Sequence, residues 1–278
     1  MTGRLEGKVA FITGIARGQG RSHAVRLAEE GADIIGVDLL EDVPLIPYAG
    51  GTQADMDETV RQVEALDRRI IAAKVDIRDE AAMQAFVDSS VAELGGRLDI
   101  VSANAGISGP MMPTIELDHE AWAQMIDINL TGQWITTKVA APHMIAAGNG
   151  GSIVLTSSGA SLRANANIAH YSAAKAGVVS LMQTLAKELG PHSIRVNSVH
   201  PTQVETPMIM HDAQIKIFRP DLENPTEDDF AEASRSLHVL PIPWVQSVDI
   251  SNAIVFLSSE EGRYITGVQL PIDAGGSL

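Results

Sequence analysis

Short runs of Val, Ile and Leu alternate along this chain with longer stretches in which apolar residues recur at helical spacing. The runs at 9–12, 34–37, 70–75, 98–101, 153–155, 194–199 and 268–272 predict seven strands. Helical patterns fill the gaps at 20–30, 80–94, 119–147, 169–189 and 248–257, the first of them ended by Gly31. Strands that alternate with helices imply βαβ units and a mainly parallel sheet. Parallel strands are buried on both faces, which accounts for their nearly continuous branched aliphatic content. The expectation is one α/β domain over residues 1–278, a doubly wound, mainly parallel seven-stranded sheet flanked by helices.

Two segments break the rhythm. The stretch 39–51 carries Pro44, Pro47, Gly50 and Gly51 and reads as a loop, followed by a polar helix at 53–68; together they form an insertion at 39–68. The stretch 201–243 holds six prolines, and Thr226-x-x-Asp229 within it has the spacing of a capping box. Irregular insertions of this length are either substrate lids or disordered segments. Met208, Ile209, Met210, Ile215, Ile217 and Phe218 favour a lid over 203–243.

Composition narrows the function classes. With 278 residues and 45% hydrophobic content the chain can bury a large core. A formal net charge of −15 repels phosphate backbones, so neither nucleic acid nor an anionic membrane is an expected partner. There is no cysteine, which removes disulfides, zinc–thiolate sites and thiol catalysis. The N-terminal stretch lacks a signal-like apolar run, and no run is long enough to span a membrane, so a cytoplasmic protein is expected. His192 and His200 are the nearest approach to a metal pair, and they lack a carboxylate at ligand spacing; no metal is expected.

The first strand runs directly into Thr13-Gly14-Ile15-Ala16-Arg17-Gly18-Gln19-Gly20, and a helix follows. Glycines at 14, 18 and 20 allow a tight turn, close approach of backbone to a pyrophosphate and close packing of helix on strand. The helix N-terminus then offers unpaired N–H groups to phosphates. A Rossmann-type dinucleotide site is therefore expected. Asp38 ends the second strand, where a carboxylate can accept both adenosine ribose hydroxyls and would repel a 2′-phosphate, favouring NAD over NADP. Arg17 is a mild counter-signal, since it either meets a 2′-phosphate or is a solvated loop residue. Asp76 has a side chain suited to the adenine amino group, and serves equally well as a strand-end or N-cap acid.

Tyr171 and Lys175 lie four residues apart in the run AHYSAAKAG, on one face of a predicted helix. An ammonium beside a phenol favours the phenolate and should lower its pKa from about 10. A tyrosine tuned in this way takes a proton from an alcohol near neutral pH.

In the order and spacing of these pieces the chain resembles the short-chain dehydrogenase/reductase family, from about residue 5 to the C-terminus. The matching motifs are TGIARGQG at 13–20, Asp76-Ile77, Asn104-Ala105-Gly106, Asn129 in an Asp-Ile-Asn-Leu run, Ser158, Tyr171 and Lys175. Ser158 is thirteen residues before Tyr171, the family's usual distance, and is preferred to Ser157. The resemblance implies that Tyr171 is the acid/base on the substrate oxygen and that Lys175 lowers its pKa and binds the nicotinamide ribose. It gives Ser158 the substrate oxygen to hydrogen-bond, and Asn129 a water that links Lys175 to solvent. Cofactor contacts are implied for Gly14, Ala16, Arg17, Gly18, Gln19 and Gly20 in the glycine loop, and for Asp38 and Leu39 after the second strand. They are also implied for Asp76, Ile77, Asn104, Ala105, Gly106, Tyr171 and Lys175, and for Pro201, Thr202, Val204 and Thr206 after the sixth strand.

One departure matters. Where the family usually has Pro-Gly, this chain has His200-Pro201-Thr202, which removes backbone freedom and adds a side chain near the nicotinamide. With the long segment after Asp38, it is similar to the carveol-dehydrogenase-like, mycofactocin-associated branch of the family. That branch implies NAD held very tightly, electrons passed to an external peptide-derived carrier, and a small apolar cyclic alcohol or ketone as substrate. The resemblance also implies a homotetramer, with the C-terminal run at a subunit interface. Trp122 and Trp134, on the predicted helix 119–147, are expected to be packing residues. An NAD(P)H ketoreductase of fatty-acid or polyketide type is the alternative enzyme, disfavoured by Asp38. A non-catalytic NAD/NADH sensor is disfavoured by the complete set Asn129, Ser158, Tyr171 and Lys175.

Overall fold

The computed structural model describes residues 3–278. Its seven strands are β1 (Val9–Thr13), β2 (Asp33–Asp38), β3 (Ile70–Lys74), β4 (Ile100–Ala103), β5 (Gly151–Thr156), β6 (Ile194–Pro201) and β7 (Gln269–Ile272). All pair in parallel, in the order β3-β2-β1-β4-β5-β6-β7. The expected doubly wound sheet is confirmed, and each expected strand is present within two residues of its predicted start.

Alternation along the strands builds two cores. Phe11, Ile35, Val101, Ile153 and Val196 face one layer, which holds α3 (Glu80–Glu93), α4 (His119–Ile126), α5 (Gly132–Ala147) and α6 (Ala169–Leu189). Ala10, Ile12, Ile34, Ile100 and Val154 face the other, which holds α1 (Gly18–Glu29) and α9 (Ser247–Ser258). The chain winds outward from β1 in both directions, so strand order reverses between β1 and β4. Ligands of such sheets bind at the carboxyl ends of the strands beside that reversal.

The polar helix α2 (Gln53–Glu64) is shorter than the expected 53–68, because Asp67 turns the chain at φ 56° on the way to β3. The expected helix 119–147 is interrupted by a wider turn at Asp127–Thr131, in which Gly132 N–H bonds to the carbonyl of Asp127 five residues back. Trp122 and Trp134 are 38% and 42% exposed, which corrects the packing expectation. They lie on the outward side of α4 and α5, where Lys138 Nζ sits 4.8 Å from the Trp134 ring centroid.

Residues 201–243 are ordered by local devices. Thr226 and Asp229 form the expected capping box at the start of α8 (Glu227–Arg235). A second short helix, α7 (Asp212–Phe218), lacks a periodic apolar stripe and was not legible in the sequence. Phe230 packs edge-on against Phe218, with ring centroids 5.0 Å apart, and lies 5.5 Å from Trp244. The segment leaves and rejoins the domain at a single bridge, Val204 to Val245. Its far end is held where the N–H groups of Val239 and Leu240 meet the Ala274 carbonyl.

Candidate active site

The ends of β1 and β4 are tied together by Thr13. Its hydroxyl accepts from Asn104 N–H and Ala105 N–H, each at 3.1 Å, and its carbonyl accepts from the Asn104 amide at 3.0 Å. Gly14 N–H bonds to Val37 O across β2, so the glycine loop opens at the strand-order reversal. The N-terminus of α1 carries no side-chain cap and no acidic residue in its first turn, which leaves its N–H groups open. Gly20 is packed against the turn: a Cβ there would lie 1.8 Å from Gly14 O. Gly20→Ala is accordingly expected to displace the loop, lower the melting temperature by an amount equivalent to about 1–3 kcal/mol, and weaken dinucleotide binding at least about tenfold. Thermal melts and NAD titration of the variant check this.

A cleft runs from this loop along the carboxyl edge of the sheet. Gly14, Arg17, Gly18, Gln19, Gly20, Asp38, Leu39, Asp76, Ile77, Asn104, Ala105, Gly106 and Thr206 all line it. Gln19 Oε1 is buried and has no hydrogen-bond partner among the described residues. N–H donors at an uncapped helix start, a glycine cradle, an unpartnered amide oxygen that accepts and an accepting carboxylate at the far end together fit NAD. Asp38 already accepts Ala16 N–H at 2.9 Å, so its position is held from below. Asp76 is gripped by Arg78 at 2.6–3.0 Å. Burial pushes the Asp76 carboxyl upward, yet these bonds win and hold it below its ordinary value.

Besides Ala16, five residues expected to touch the cofactor are not in the cleft lining: Tyr171 and Lys175, described below, and Pro201, Thr202 and Val204. Pro201 pairs in register with Ile272 as part of β6, and Val204 is buried in the core of the α1/α9 layer. Thr202 turns its hydroxyl to His238 Nε2 at 2.7 Å, so the departure from the family's glycine serves to anchor residues near α8 rather than to face the cleft. Ala16 is buried and contributes only its backbone.

Sequence reasoning missed the cleft's other wall. Val43, Ile46 and Tyr48 of the segment after β2 line it, with Ile107, Ile128 and Met208 opposite. Tyr48 Oη accepts Ser108 N–H at 3.1 Å, and its ring stands 5.3 Å from that of His211. Arg17 donates to the Ala49 carbonyl. The segment is thereby strapped to the glycine loop, to the loop after β4 and to the start of α7. Burial raises the Tyr48 phenol to about 12. The available signal was a lone tyrosine among aliphatic residues in a Pro/Gly-rich stretch.

Farther along the same carboxyl edge of the sheet, α6 presents Tyr171 and Lys175 toward Ser158, just past β5. Lys175 is 3% exposed; its Nζ donates to Thr156 O at 2.9 Å and lies 5.7 Å from the Tyr171 ring centroid. Ser158 is extended, at φ −166° and ψ 158°, and its hydroxyl oxygen accepts Ala160 N–H at 3.1 Å. Asn129, fully buried in the widened turn, accepts Ile107 N–H and donates to Ile107 O, both at 2.8 Å. Gly106 fills the gap between Asn129 and Lys175: a Cβ there would lie 2.7 Å from Asn129 Oδ1 and 3.4 Å from Lys175 Nζ. The four expected residues are thus brought together.

Their electrostatics differ from expectation. Burial raises the Tyr171 phenol above its ordinary value, and the hydrogen bond with Ser158 only partly offsets this. Burial also lowers Lys175, to about 8. A lysine that is itself desolvated, with a neutral carbonyl as its hydrogen-bond partner, does not pull the tyrosine down by itself.

Among the described residues, no cluster of three or more His, Asp or Glu can hold a metal ion, and no helix is long and apolar enough to cross a membrane.

A doubly wound parallel sheet with a glycine-loop cleft at its reversal point, ending beside a Ser–Tyr–Lys group, defines a class of oxidoreductases. The pattern described as short chain dehydrogenase matches residues 8–215, and the chain belongs to that family. Among its relatives, the (−)-trans-carveol dehydrogenase of Rhodococcus erythropolis is 58% identical over 275 residues, 99% of each chain. The crystal structure of carveol dehydrogenase from Mycobacterium avium in complex with NAD matches with a TM-score of 0.98 at 56% identity, over 99% of each chain. A short chain dehydrogenase from Mycobacterium paratuberculosis bound to NAD matches with a TM-score of 0.89 at 45% identity, again over 99% of each chain.

Proposed function

We propose that this protein is an NAD-dependent alcohol dehydrogenase that interconverts a secondary alcohol on an apolar, cyclic, terpenoid-like scaffold and its ketone. The observation that carries the reading is the meeting of Ser158, Tyr171 and Lys175 behind Gly106, which lines the same cleft as Asp38. NAD, when bound, supplies the acceptor for the hydride that leaves the alcohol carbon. The chain's own residues do the rest. Ser158 donates its hydroxyl hydrogen to the substrate oxygen and stabilises charge developing there. Tyr171 takes the alcohol proton, or returns it in reduction. Lys175 supplies the compensating positive charge and holds the nicotinamide ribose. Both polar atoms of the Asn129 side chain are engaged by Ile107, so the water that relays protons between Lys175 and solvent is held by the backbone of the widened turn.

Asp38 favours NAD and speaks against the NADPH ketoreductase alternative, because a 2′-phosphate would meet its carboxylate. The apolar wall of Val43, Ile46, Ile107 and Met208 and the identity to carveol dehydrogenases support a terpenoid-like substrate. Residues 203–243 act as the substrate lid. The strapped segment after β2 retains NAD between turnovers, which calls for an external carrier of the mycofactocin type to reoxidise it. The assembly is a homotetramer, and the cell compartment is the cytoplasm.

The test is a turnover count with purified protein, (−)-trans-carveol and excess free NAD, following the absorbance of reduced nicotinamide. Oxidation with NAD and not NADP is expected. A burst of about one reduced equivalent per subunit supports retained cofactor, whereas continuous growth means free exchange and no need of a carrier. No reduction at all, not even the burst, sinks the proposed activity.

A further inference from the structure

His200, part of the departure from the family pattern, is fully buried on β6 next to the residue that pairs with Ser157. Its Nε2 lies 2.8 Å from Ser198 Oγ. Its Nδ1 lies 3.2 Å from the Ser158 carbonyl and 3.0 Å from Ser161 Oγ. A carbonyl can only accept, so the contact with Ser158 requires the proton on Nδ1, and Nε2 then accepts the Ser198 hydroxyl. Burial lowers the imidazole pKa, with the Lys175 charge acting in the same direction and the Ser158 carbonyl against it; the ring is neutral, as this tautomer needs.

The contacts converge on one peptide group. Ser161 Oγ donates to the same Ser158 carbonyl at 2.7 Å. Ser157 Oγ lies 2.9 Å from both Ser161 Oγ and the Lys175 carbonyl, so the network also reaches α6. Pinning the Ser158 carbonyl fixes ψ of that residue, and with it the direction in which Cβ and the hydroxyl leave the backbone. We propose that His200 is a positioning residue: by holding the Ser158 carbonyl from behind, it keeps the Ser158 hydroxyl aimed at the reacting oxygen beside Tyr171. The proposal rests on the reading of Ser158 as the substrate-oxygen donor.

His200→Gln places its amide at the Nε2 position and leaves the Ser158 carbonyl without the Nδ1 donor. His200→Asn restores a donor at the Nδ1 position. With (−)-trans-carveol and NAD, His200→Gln is expected to lower kcat by about tenfold or more, because small misplacements of an oxyanion donor are costly. NAD affinity and KM should stay within about twofold, since such a loss is confined to the transition state. His200→Asn should recover most of the rate. Because the effect acts through Ser158, His200→Gln should cost almost nothing further in a Ser158→Ala background. A merely structural role would give equal losses in both backgrounds, or equal losses for Gln and Asn, and either result overturns the proposal. Should His200→Gln fail to fold, Ser198→Ala frees Nε2 and carries the same test, with a smaller loss that again must vanish in Ser158→Ala. Wild-type turnover in Ser158→Ala alone would instead sink the assignment of Ser158.

Discussion

Replacing Tyr171 by phenylalanine is expected to lower turnover by about 10²–10⁴-fold while leaving NAD affinity nearly unchanged. The substitution removes one oxygen from a half-buried ring and takes away the phenol that meets Ser158. The glycine loop and Asp38, which hold the dinucleotide in the proposed reading, lie at the other end of the cleft. Binding and chemistry should therefore separate cleanly. NAD titration by protein fluorescence and steady-state assay in both directions make the measurement. Retained turnover in Tyr171→Phe would remove the tyrosine from the mechanism. Joint loss of binding and turnover would mean that the ring's role is to shape the cleft.

What was legible in the sequence was whatever is decided locally or by strong periodicity. The glycine loop, the Thr226–Asp229 capping box and α6, whose observed bounds equal the expected ones, depend on neighbours a few residues apart. The parallel sheet followed from seven apolar runs separated by helices. What escaped depends on contacts between distant positions. The helix 119–147 is widened at Asn129, whose amide bonds to Ile107, twenty-two residues away in sequence. Tyr48 finds its place only through Ser108 and His211. The spacing Tyr-x-x-x-Lys correctly put two side chains on one face. It gave no information on how deeply that face is buried, and burial sets both pKa directions.

That burial links stability to catalysis at Lys175. Its ammonium is held at a pKa of about 8 against an ordinary 10.5, with burial the sole cause. The unfolded chain keeps the proton up to about 10.5, the folded chain only up to about 8, so folding expels it between these values. The cost is complete below pH 8, roughly 3 kcal/mol at about 1.4 kcal/mol per unit, and disappears as pH rises through 10.5. Lys175→Met removes the buried charge and leaves Thr156 O still bonded to the Gln133 amide at 2.9 Å. The variant should therefore melt several degrees higher than wild type at pH 7, and the gain should shrink toward zero by about pH 10. A melting point that does not rise at pH 7, or a gain independent of pH, would refute this account.

The same substitution should move the pH dependence of alcohol oxidation. The productive pair, phenolate with ammonium, carries one proton fewer than phenol with ammonium, and so does phenol with neutral amine. The pair loses that proton with an apparent pKa of about 8, whichever group is drawn as losing it. Oxidation by the wild type should then rise about tenfold per pH unit below 8 and level off above it. Without Lys175 the limb must follow the tyrosine alone, which burial holds above its ordinary value. Lys175→Met should be slow at every pH and still climbing where the wild type has reached its plateau. A limb that stays near pH 8 in the variant would assign it to another group, and would leave Lys175 as a cofactor ligand without a part in proton transfer.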